Sequence, residues 1–214
     1  CSSDLEIIMF KRDQKVIGML SQSNPQFTRD TLVFVLNSIQ NYLYRVPSDM
    51  IEIKRKGAKA ACLKHFSKNK GYKYIRRNYQ TLHKVIHSSE LTLEEKLVAL
   101  TDIPNIGIVK AGFILQLCIG EVGCIDCHNA RLFDINLQQF KFGKSARLNL
   151  KLRKAKEYVE AINLVGSLRP RKSGTTPEYL WDNWCVFIAD KYPSKFASAS
   201  DVSRLHVDAI VSVV

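Results

Sequence analysis

Apolar residues recur every three to four positions along most of the chain, as they do in helices that bury one face in a core. Strand signals are scarce, and the chain has no internal repeat or low-complexity tract. The sequence therefore predicts an all-α fold, with residues 1–214 forming a single helical domain of one or two lobes. The predicted helices cover residues 5–20, 28–44 (capped by Thr28), a short segment from 46, 93–100, 108–119, 127–133, 148–165 (ended by Gly166), 176–192 (capped by Thr176) and 202–213 (capped by Ser200 and Asp201).

A helical hairpin stands out between residues 92 and 119. Thr92 and Glu95 have the spacing of a capping box, which fixes the start of the first helix. Residues 103–107 read I-P-N-I-G, a tight turn between apolar positions, and a second helix follows from residue 108.

The turn of this hairpin has the features of a phosphate-binding site. Pro104 fixes its own φ angle and ends the first helix. Gly107 has no side chain, so the backbone can lie close to a ligand. The N–H groups of residues 106–109 start the second helix, where the helix dipole favours an anion.

A loop after the hairpin leads to Asp126, in the segment D-C-H-N-A-R. This arrangement resembles the helix-hairpin-helix DNA glycosylase superfamily that includes endonuclease III. In that family the hairpin reads roughly L-P-G-[IV]-G-x-K-x-A, and a catalytic aspartate follows about twenty residues later in a D-x-H-x-x-R-type segment. The resemblance implies that Asp126 is catalytic, that His128 and Arg131 support it, and that the DNA-binding residues are Asn105, Ile106, Gly107, Val109 and Lys110.

Two departures from the family pattern bear on the chemistry. Asn105 stands at the first hairpin glycine and tolerates the same left-handed backbone. Val109 stands where bifunctional members carry a nucleophilic lysine, and Lys110 follows on a different face of the helix. The resemblance therefore implies a monofunctional enzyme that removes a base without cleaving the strand.

An aspartate at position 126 suits this reaction. Breaking a deoxyribose N-glycosidic bond develops positive charge on the sugar, which a carboxylate stabilises while it orients or deprotonates water. The target nucleotide has to be flipped out of the duplex to reach it. The alternative interpretation is that Asp126 only caps the helix over 127–133, although one residue can fill both roles.

The pocket for the base is less sharply defined by the sequence. The aromatic candidates lie in helical stripes that also suit core packing, and they are Phe113, Tyr179, Trp181 and Trp184. The candidate amide side chains that would read the base, or lie buried with backbone partners, are Asn37, Gln40 and Asn41. The identity of the base does not follow from these residues.

Charge points to a polyanionic partner. The net charge is +12, with a basic block over 54–77 that includes interleaved tyrosines and a second over 144–156. The alternative is a lysine-rich solvated surface. No apolar run is long enough to span a bilayer. We expect a monomer in the cytoplasm, associated with nucleoid or viral DNA, that binds double-stranded DNA and no membrane.

Six cysteines are too few for a disulfide scaffold at this length, so reduced thiols are expected. Some relatives carry a four-cysteine iron–sulfur loop near the C-terminus. Only Cys185 follows Cys127, so no iron–sulfur cluster is expected. Residues 124–128 also match the C-x-x-C-H haem pattern, and zinc would need two ligands beyond the cysteine pair. No cofactor is expected apart from a monovalent cation at the hairpin.

The sequence as a whole predicts a monofunctional DNA N-glycosylase of base excision repair. Three other interpretations stay open. The first is a non-enzymatic helix-hairpin-helix protein that binds DNA and has lost the chemistry. The second is a glycosylase-fold enzyme that transfers a group to hypermodified thymine in viral DNA. The third is an RNA-binding protein, since a hairpin that contacts the backbone discriminates poorly between sugars.

Overall fold

A computed structural model describes residues 17–170 and 174–211. These residues form helices and connecting turns with no strand among them, which confirms the all-α prediction. Within these two ranges, every helix is too short or too polar to cross a lipid bilayer. The helices are α1 (17–23), α2 (Pro25–Ser38), α3 (Val46–Lys56), α4 (Phe66–His87), α5 (Leu93–Leu100), α6 (Ile108–Ile119), α7 (Cys127–Leu132), α8 (Leu148–Leu168), α9 (Thr176–Lys191) and α10 (Ala199–Val211). Shorter 3-10 helices lie at Leu43–Arg45, Gly57–Lys59, Ala61–Leu63 and Leu137–Phe140.

Helix α2 lies at the centre of the core. Its residues from Phe27 to Asn37 are buried except for Arg29, as expected of a helix enclosed on all sides. It packs against α3, α4, α6 and α10. The apolar second helix predicted from the sequence is therefore confirmed as a core element.

The bounds of α2 differ from the predicted ones. Asn24 caps the helix by accepting a bond from the Gln26 N–H at 2.9 Å. Thr28 was predicted as the cap, but it is buried one turn inside, where its hydroxyl lies 2.9 Å from Nδ1 of His83. The helix ends at Ser38 and not at residue 44, because Gln40 adopts a left-handed backbone with φ of 49°.

Helix α8 continues past Gly166, which was predicted to stop it. A Cβ at Gly166 would lie 2.6 Å from the Thr176 hydroxyl, so the glycine makes room for the start of α9. The cap of α9 is Thr175, in a capping box with Glu178, and not Thr176 as predicted.

The last helix begins three residues before the predicted start. The N–H of Asp201 donates to the Ser198 hydroxyl at 3.2 Å, so Ser198 takes the capping position predicted for Ser200 and Asp201. Residues 5–16 of the first predicted helix, 171–173 of the loop before α9, and 212–213 of the last predicted helix lie outside the described residues.

The hairpin forms as predicted from α5, the turn and α6. The Thr92 N–H donates to Glu95 at 2.8 Å and the Glu95 N–H donates to Thr92 at 3.2 Å, which completes the capping box. Helix α4 packs against the turn at Gly71. A Cβ at Gly71 would lie 2.5 Å from the Pro104 carbonyl oxygen, so this glycine lets the turn pack directly on α4.

Candidate functional site

A cavity of about 750 Å³ opens where the hairpin turn, the loop before α7, the 137–144 segment and α9 meet. Both the turn, at Asn105 to Lys110, and Asp126 line it. The structure therefore brings together the two features that the sequence singled out separately. The residues that also line the cavity include Asn41, Tyr42, Phe113, Gln116, Cys124, Asn129, Lys141, Lys144, Lys151, Trp181, Trp184, Lys191 and Tyr192.

The turn presents backbone to this cavity. Asn105 adopts a left-handed backbone with φ of 73°, a conformation that asparagine tolerates. Gly107 caps α6 without any side-chain hydrogen bond. The Ile106 N–H donates to the Ile103 carbonyl at 3.1 Å, so it is already used within the turn. The N–H groups left for a ligand are those of the first turn of α6, at Ile108 to Lys110.

Asp126 is half-buried at the start of α7. Its Oδ1 accepts a hydrogen bond from the Asn129 N–H at 2.8 Å, so the capping role is confirmed. This bond fixes the carboxylate through one of its two oxygens.

Two buried amide side chains fix the loop that carries Asp126. Gln116 accepts a bond from the Cys124 N–H at 2.8 Å and donates to the Pro177 carbonyl at 2.7 Å. Asn129 donates to the carbonyls of Cys124 at 3.3 Å and Leu180 at 3.1 Å. The loop is therefore tied to both α6 and α9 through its backbone.

A buried tyrosine completes this bracing. The Tyr158 hydroxyl accepts from the Ile125 N–H at 3.1 Å and donates to the Gly123 carbonyl at 2.8 Å. Burial raises the pKa of Tyr158 well above its ordinary value, so the hydroxyl keeps its proton as a donor. Gly112 on α6 lies under the same loop, and a Cβ there would come within 2.6 Å of the Gly123 carbonyl oxygen.

Three aromatic residues that were predicted as base-pocket candidates line the cavity. The ring centroids of Phe113 and Trp181 lie 5.8 Å apart, and those of Trp181 and Trp184 lie 5.1 Å apart. Tyr179, the fourth candidate, packs against Phe133 with centroids 6.1 Å apart. The cavity therefore has an aromatic wall made by α6 and α9.

The cavity is also strongly basic. Asp126 is the one acidic side chain among the described residues that line it, against five lysines. Lys151 lies 3.8 Å from Asp102, and the ammonium of Lys110 lies 5.2 Å from the centroid of the Phe113 ring. An anionic ligand is therefore favoured. The five lysines are Lys110, Lys141, Lys144, Lys151 and Lys191.

Comparisons with known proteins found no match to this chain. No family model, no curated protein and no solved structure matches it. Its function is therefore inferred from the cavity.

Other residues that the sequence proposed are not among the described residues that line the cavity. His128 stacks on Phe187 with ring centroids 4.1 Å apart, and Arg131 is exposed. Asn37 is buried in α2, with its amide nitrogen 3.5 Å from Oδ2 of Asp49. Gln40 is exposed at the end of the same helix.

Asn41 does line the cavity, but its amide is engaged. It donates to Oδ2 of Asp49 at 2.7 Å. A base-reading role would therefore need Asn41 to leave this carboxylate.

The first basic block, 54–77, contributes none of the described lining residues. Lys68 is buried and donates to the Asn37 carbonyl at 3.1 Å. Tyr72 is buried, and Tyr74 and Tyr79 are half-buried. The tyrosines of this block thus pack inward. The second block does reach the cavity, through Lys144 and Lys151.

The cysteine pair at 124 and 127 borders the cavity. Burial raises the pKa of the Cys124 thiol to about 12, so this thiol keeps its proton at neutral pH. Among the described residues, the metal-ligating side chains that do gather are Asp49, Glu52 and Cys62, whose ligand atoms lie within 4.8 Å of one another.

Sequence reasoning missed the three side chains that brace the Asp126 loop. Gln116 carried a usable signal, because it is a polar residue in the otherwise apolar stretch of α6. Tyr158 gave no such signal, and neither did Asn129 for its bond to Leu180, because these partners lie in distant segments of the chain.

Proposed function

We propose that this protein is a DNA-binding base-excision enzyme that hydrolyses the N-glycosidic bond of a flipped-out nucleotide. The observation that carries the proposal is the shared cavity, onto which both the hairpin turn and Asp126 open. Neither a helix-capping aspartate nor an exposed turn would be specific alone. A backbone anion site and a fixed carboxylate on one cavity support a single ligand that contacts both.

The turn binds the phosphate of the target nucleotide in this proposal. The N–H groups at the start of α6 donate to the phosphate, and the helix dipole adds to the attraction. Gly107 is exposed, and a Cβ there would meet no atom within 4 Å. The missing side chain therefore leaves space for the DNA backbone on the outside of the turn.

The flipped base enters the cavity beside the aromatic wall. The volume of the cavity, about 750 Å³, falls in the range of small-molecule sites, which run from about 300 to 1,000 Å³. Stacking against Phe113 or Trp184 would offset the lost stacking in the duplex. Lysines around the opening hold the neighbouring phosphates.

Asp126 supplies the chemistry. Its carboxylate stabilises the positive charge that develops on the sugar as the bond to the base breaks. It then orients and deprotonates the water that attacks the sugar. The Asn129 N–H holds one carboxylate oxygen during these steps.

The enzyme is proposed to lack a strand-cleaving step. Val109 lines the cavity at the position of the family lysine. Lys110 also lines it, with its ammonium over the Phe113 ring, and we assign it to DNA affinity. Abasic product should therefore persist as an intact strand until hot alkali cleaves it.

The proposal is tested by a base-release assay on duplexes carrying uracil, alkylated, oxidised and hypermodified bases. Wild type is compared with Asp126→Asn and with Asp134→Asn, the same change at an exposed aspartate outside the cavity. We expect release from one class of duplex by wild type and Asp134→Asn, and none by Asp126→Asn. No release from any duplex, with equal DNA binding by all three proteins, would favour a binding protein without chemistry.

A second candidate function is favoured by the basic lining. Five lysines and a wide cavity suit a base that carries an anionic or bulky substituent. This supports a glycosylase-fold enzyme that transfers a group to hypermodified thymine and leaves the glycosidic bond intact. Mass spectrometry of the nucleosides separates the two functions, since transfer changes the mass of the nucleoside and hydrolysis releases a free base.

A further inference from the structure

A cluster of tyrosines and cations forms one rim of the cavity. The cluster combines Tyr42 and the 3-10 helix at Leu43–Arg45 with the end of α9 and the turn that follows. Tyr42, Lys191 and Tyr192 also line the cavity itself. We call this cluster the tyrosine rim, and its members are Tyr42, Tyr44, Arg45, Lys191, Tyr192 and Lys195.

The three rings of the tyrosine rim contact one another. Tyr42 and Tyr44 are stacked, with centroids 5.7 Å apart and an interplanar angle of 29°. Tyr44 meets the edge of Tyr192 with centroids 6.1 Å apart. The rings thus form a continuous aromatic surface that starts at the cavity.

Each ring has a cation beside it. The Arg45 guanidinium lies 5.3 Å from the Tyr42 centroid and 5.8 Å from the Tyr44 centroid. The ammonium of Lys195 lies 5.8 Å from Tyr44, and that of Lys191 lies 5.6 Å from Tyr192. These distances are within the range of cation–π attraction.

The exposure of this surface favours a ligand. Tyr42 is 56% exposed although it belongs to an aromatic cluster, and Arg45, Lys191 and Lys195 are also exposed. Single-stranded nucleic acid binds stacked aromatic rings with cations beside them. Each nucleotide has a base that stacks on a ring and a phosphate that a cation neutralises. All the charged members of the rim are positive, which complements a phosphodiester chain.

We propose that the tyrosine rim binds an unpaired nucleotide next to the one in the cavity. Its base stacks on Tyr42, while its phosphates pair with Arg45 and Lys195. The preferred substrate is then single-stranded or locally unpaired DNA. In a fully paired duplex, at least one nucleotide next to the flipped one would also have to unpair. This inference rests on the proposed function, since it takes DNA as the occupant of the cavity.

The test compares Tyr42→Ala and Tyr42→Phe with wild type. A fluorescently labelled single-stranded DNA 12-mer and its paired duplex are titrated by anisotropy at one salt concentration. The matched control is Phe66→Ala, because Phe66 is 72% exposed with the Lys70 ammonium 4.3 Å from its ring, yet it does not line the cavity. Tyr42 is exposed in a short connection, so its replacement should leave the fold intact.

We expect wild type to bind the single strand more tightly than the paired duplex. Tyr42→Ala should lose about tenfold in single-strand affinity, as stacking of one base predicts. Tyr42→Phe should keep the affinity, since the phenyl ring still stacks, and Phe66→Ala should match wild type. A 2-aminopurine in the strand should be quenched on binding to wild type and less quenched with Tyr42→Ala.

The inference is overturned if Tyr42→Ala binds the single strand as well as Phe66→Ala does, or if wild type prefers the paired duplex. Its failure is distinct from failure of the proposed function. Base release by wild type, with no effect of Tyr42→Ala on single-strand affinity, would contradict nucleotide binding at the tyrosine rim and support the proposed enzyme. Loss of single-strand affinity in Tyr42→Ala, without base release from any substrate, would support nucleotide binding at the rim and contradict the proposed enzyme.

Discussion

The hairpin turn and the loop before Asp126 line the same cavity, and they are built in opposite ways. The turn leaves backbone groups open, and Gly107 has free space where a side chain would be. The loop has its backbone groups bonded to Gln116, Asn129 and Tyr158. Gly112, five residues after Gly107, is enclosed beneath this loop.

The difference separates a binding surface from a positioning frame. An open backbone can accept a ligand, because its hydrogen bonds are not yet made. A braced backbone holds a side chain in one place, because moving it would break buried hydrogen bonds. Substitutions on the two sides should therefore affect different quantities, with stability affected at the loop and DNA affinity at the turn.

The largest effect on stability is expected for Gly112→Ala. The new methyl group would lie 2.6 Å from the Gly123 carbonyl oxygen and 2.8 Å from the Tyr158 ring, so the loop has to move. Overpacking of this kind should lower the free energy of unfolding by about 3 kcal/mol. Urea denaturation measures it, with Gly143→Ala as the control, because a Cβ at Gly143 meets no atom within 4 Å. Equal midpoints for the two variants would contradict the close packing under the loop.

Tyr158→Phe should have the next largest effect. It removes the two hydrogen bonds to Gly123 and Ile125 without changing the shape of the ring. The expected loss is about 2 kcal/mol, at roughly 1 kcal/mol for each bond. Base release should fall further than the loss of folded protein explains, because Asp126 is then less firmly placed. A variant with wild-type stability and activity would show that the loop needs no brace.

A pH-dependent effect is expected from a second, partly buried network, in which the Ser21 hydroxyl lies 3.1 Å from Nε2 of His87. Burial, His83 and Lys96 lower the pKa of His87 to about 4 from its ordinary 6.5. Between these values the unfolded chain binds more protons than the folded one, so stability should fall as pH drops from 6.5 to 4 and then level off. Urea denaturation across this range should show a shallower fall for His87→Gln. Identical slopes would contradict the lowered pKa.

The smallest effect on stability is expected for Gly107→Ala. Its φ of −101° is accessible to alanine and the added methyl meets no atom within 4 Å. The free energy of unfolding should change by less than about 0.5 kcal/mol. Affinity for DNA should fall, because the methyl occupies the approach to the N–H groups of α6. Unchanged affinity in anisotropy titrations would place the DNA elsewhere.

The hairpin was predictable because its signals are local. A capping box, a proline and a glycine lie within sixteen residues, and each acts on its own neighbours. The Asp126 segment was predictable for the same reason, since an aspartate three residues before its N–H partner is a helix cap.

The frame behind Asp126 was not predictable, because its contacts join distant parts of the chain. Gln116 reaches Pro177 across 61 positions, and Tyr158 reaches Ile125 across 33. Thr28 was misassigned as a cap for a related reason. The Thr28 hydroxyl donates to the Ser21 carbonyl and lies beside Nδ1 of His83. The local sequence of α2 gives no sign of this distant histidine.

In the proposed function, the turn binds DNA and Asp126 reacts with it in one cavity. The most direct measurement is the single-turnover rate of base release by wild type, Gly107→Ala and Asp126→Asn over a range of protein concentrations. Gly107→Ala should need more protein but reach the wild-type rate at saturation, while Asp126→Asn should stay without release at every concentration. Release by Asp126→Asn at the wild-type rate would contradict the account.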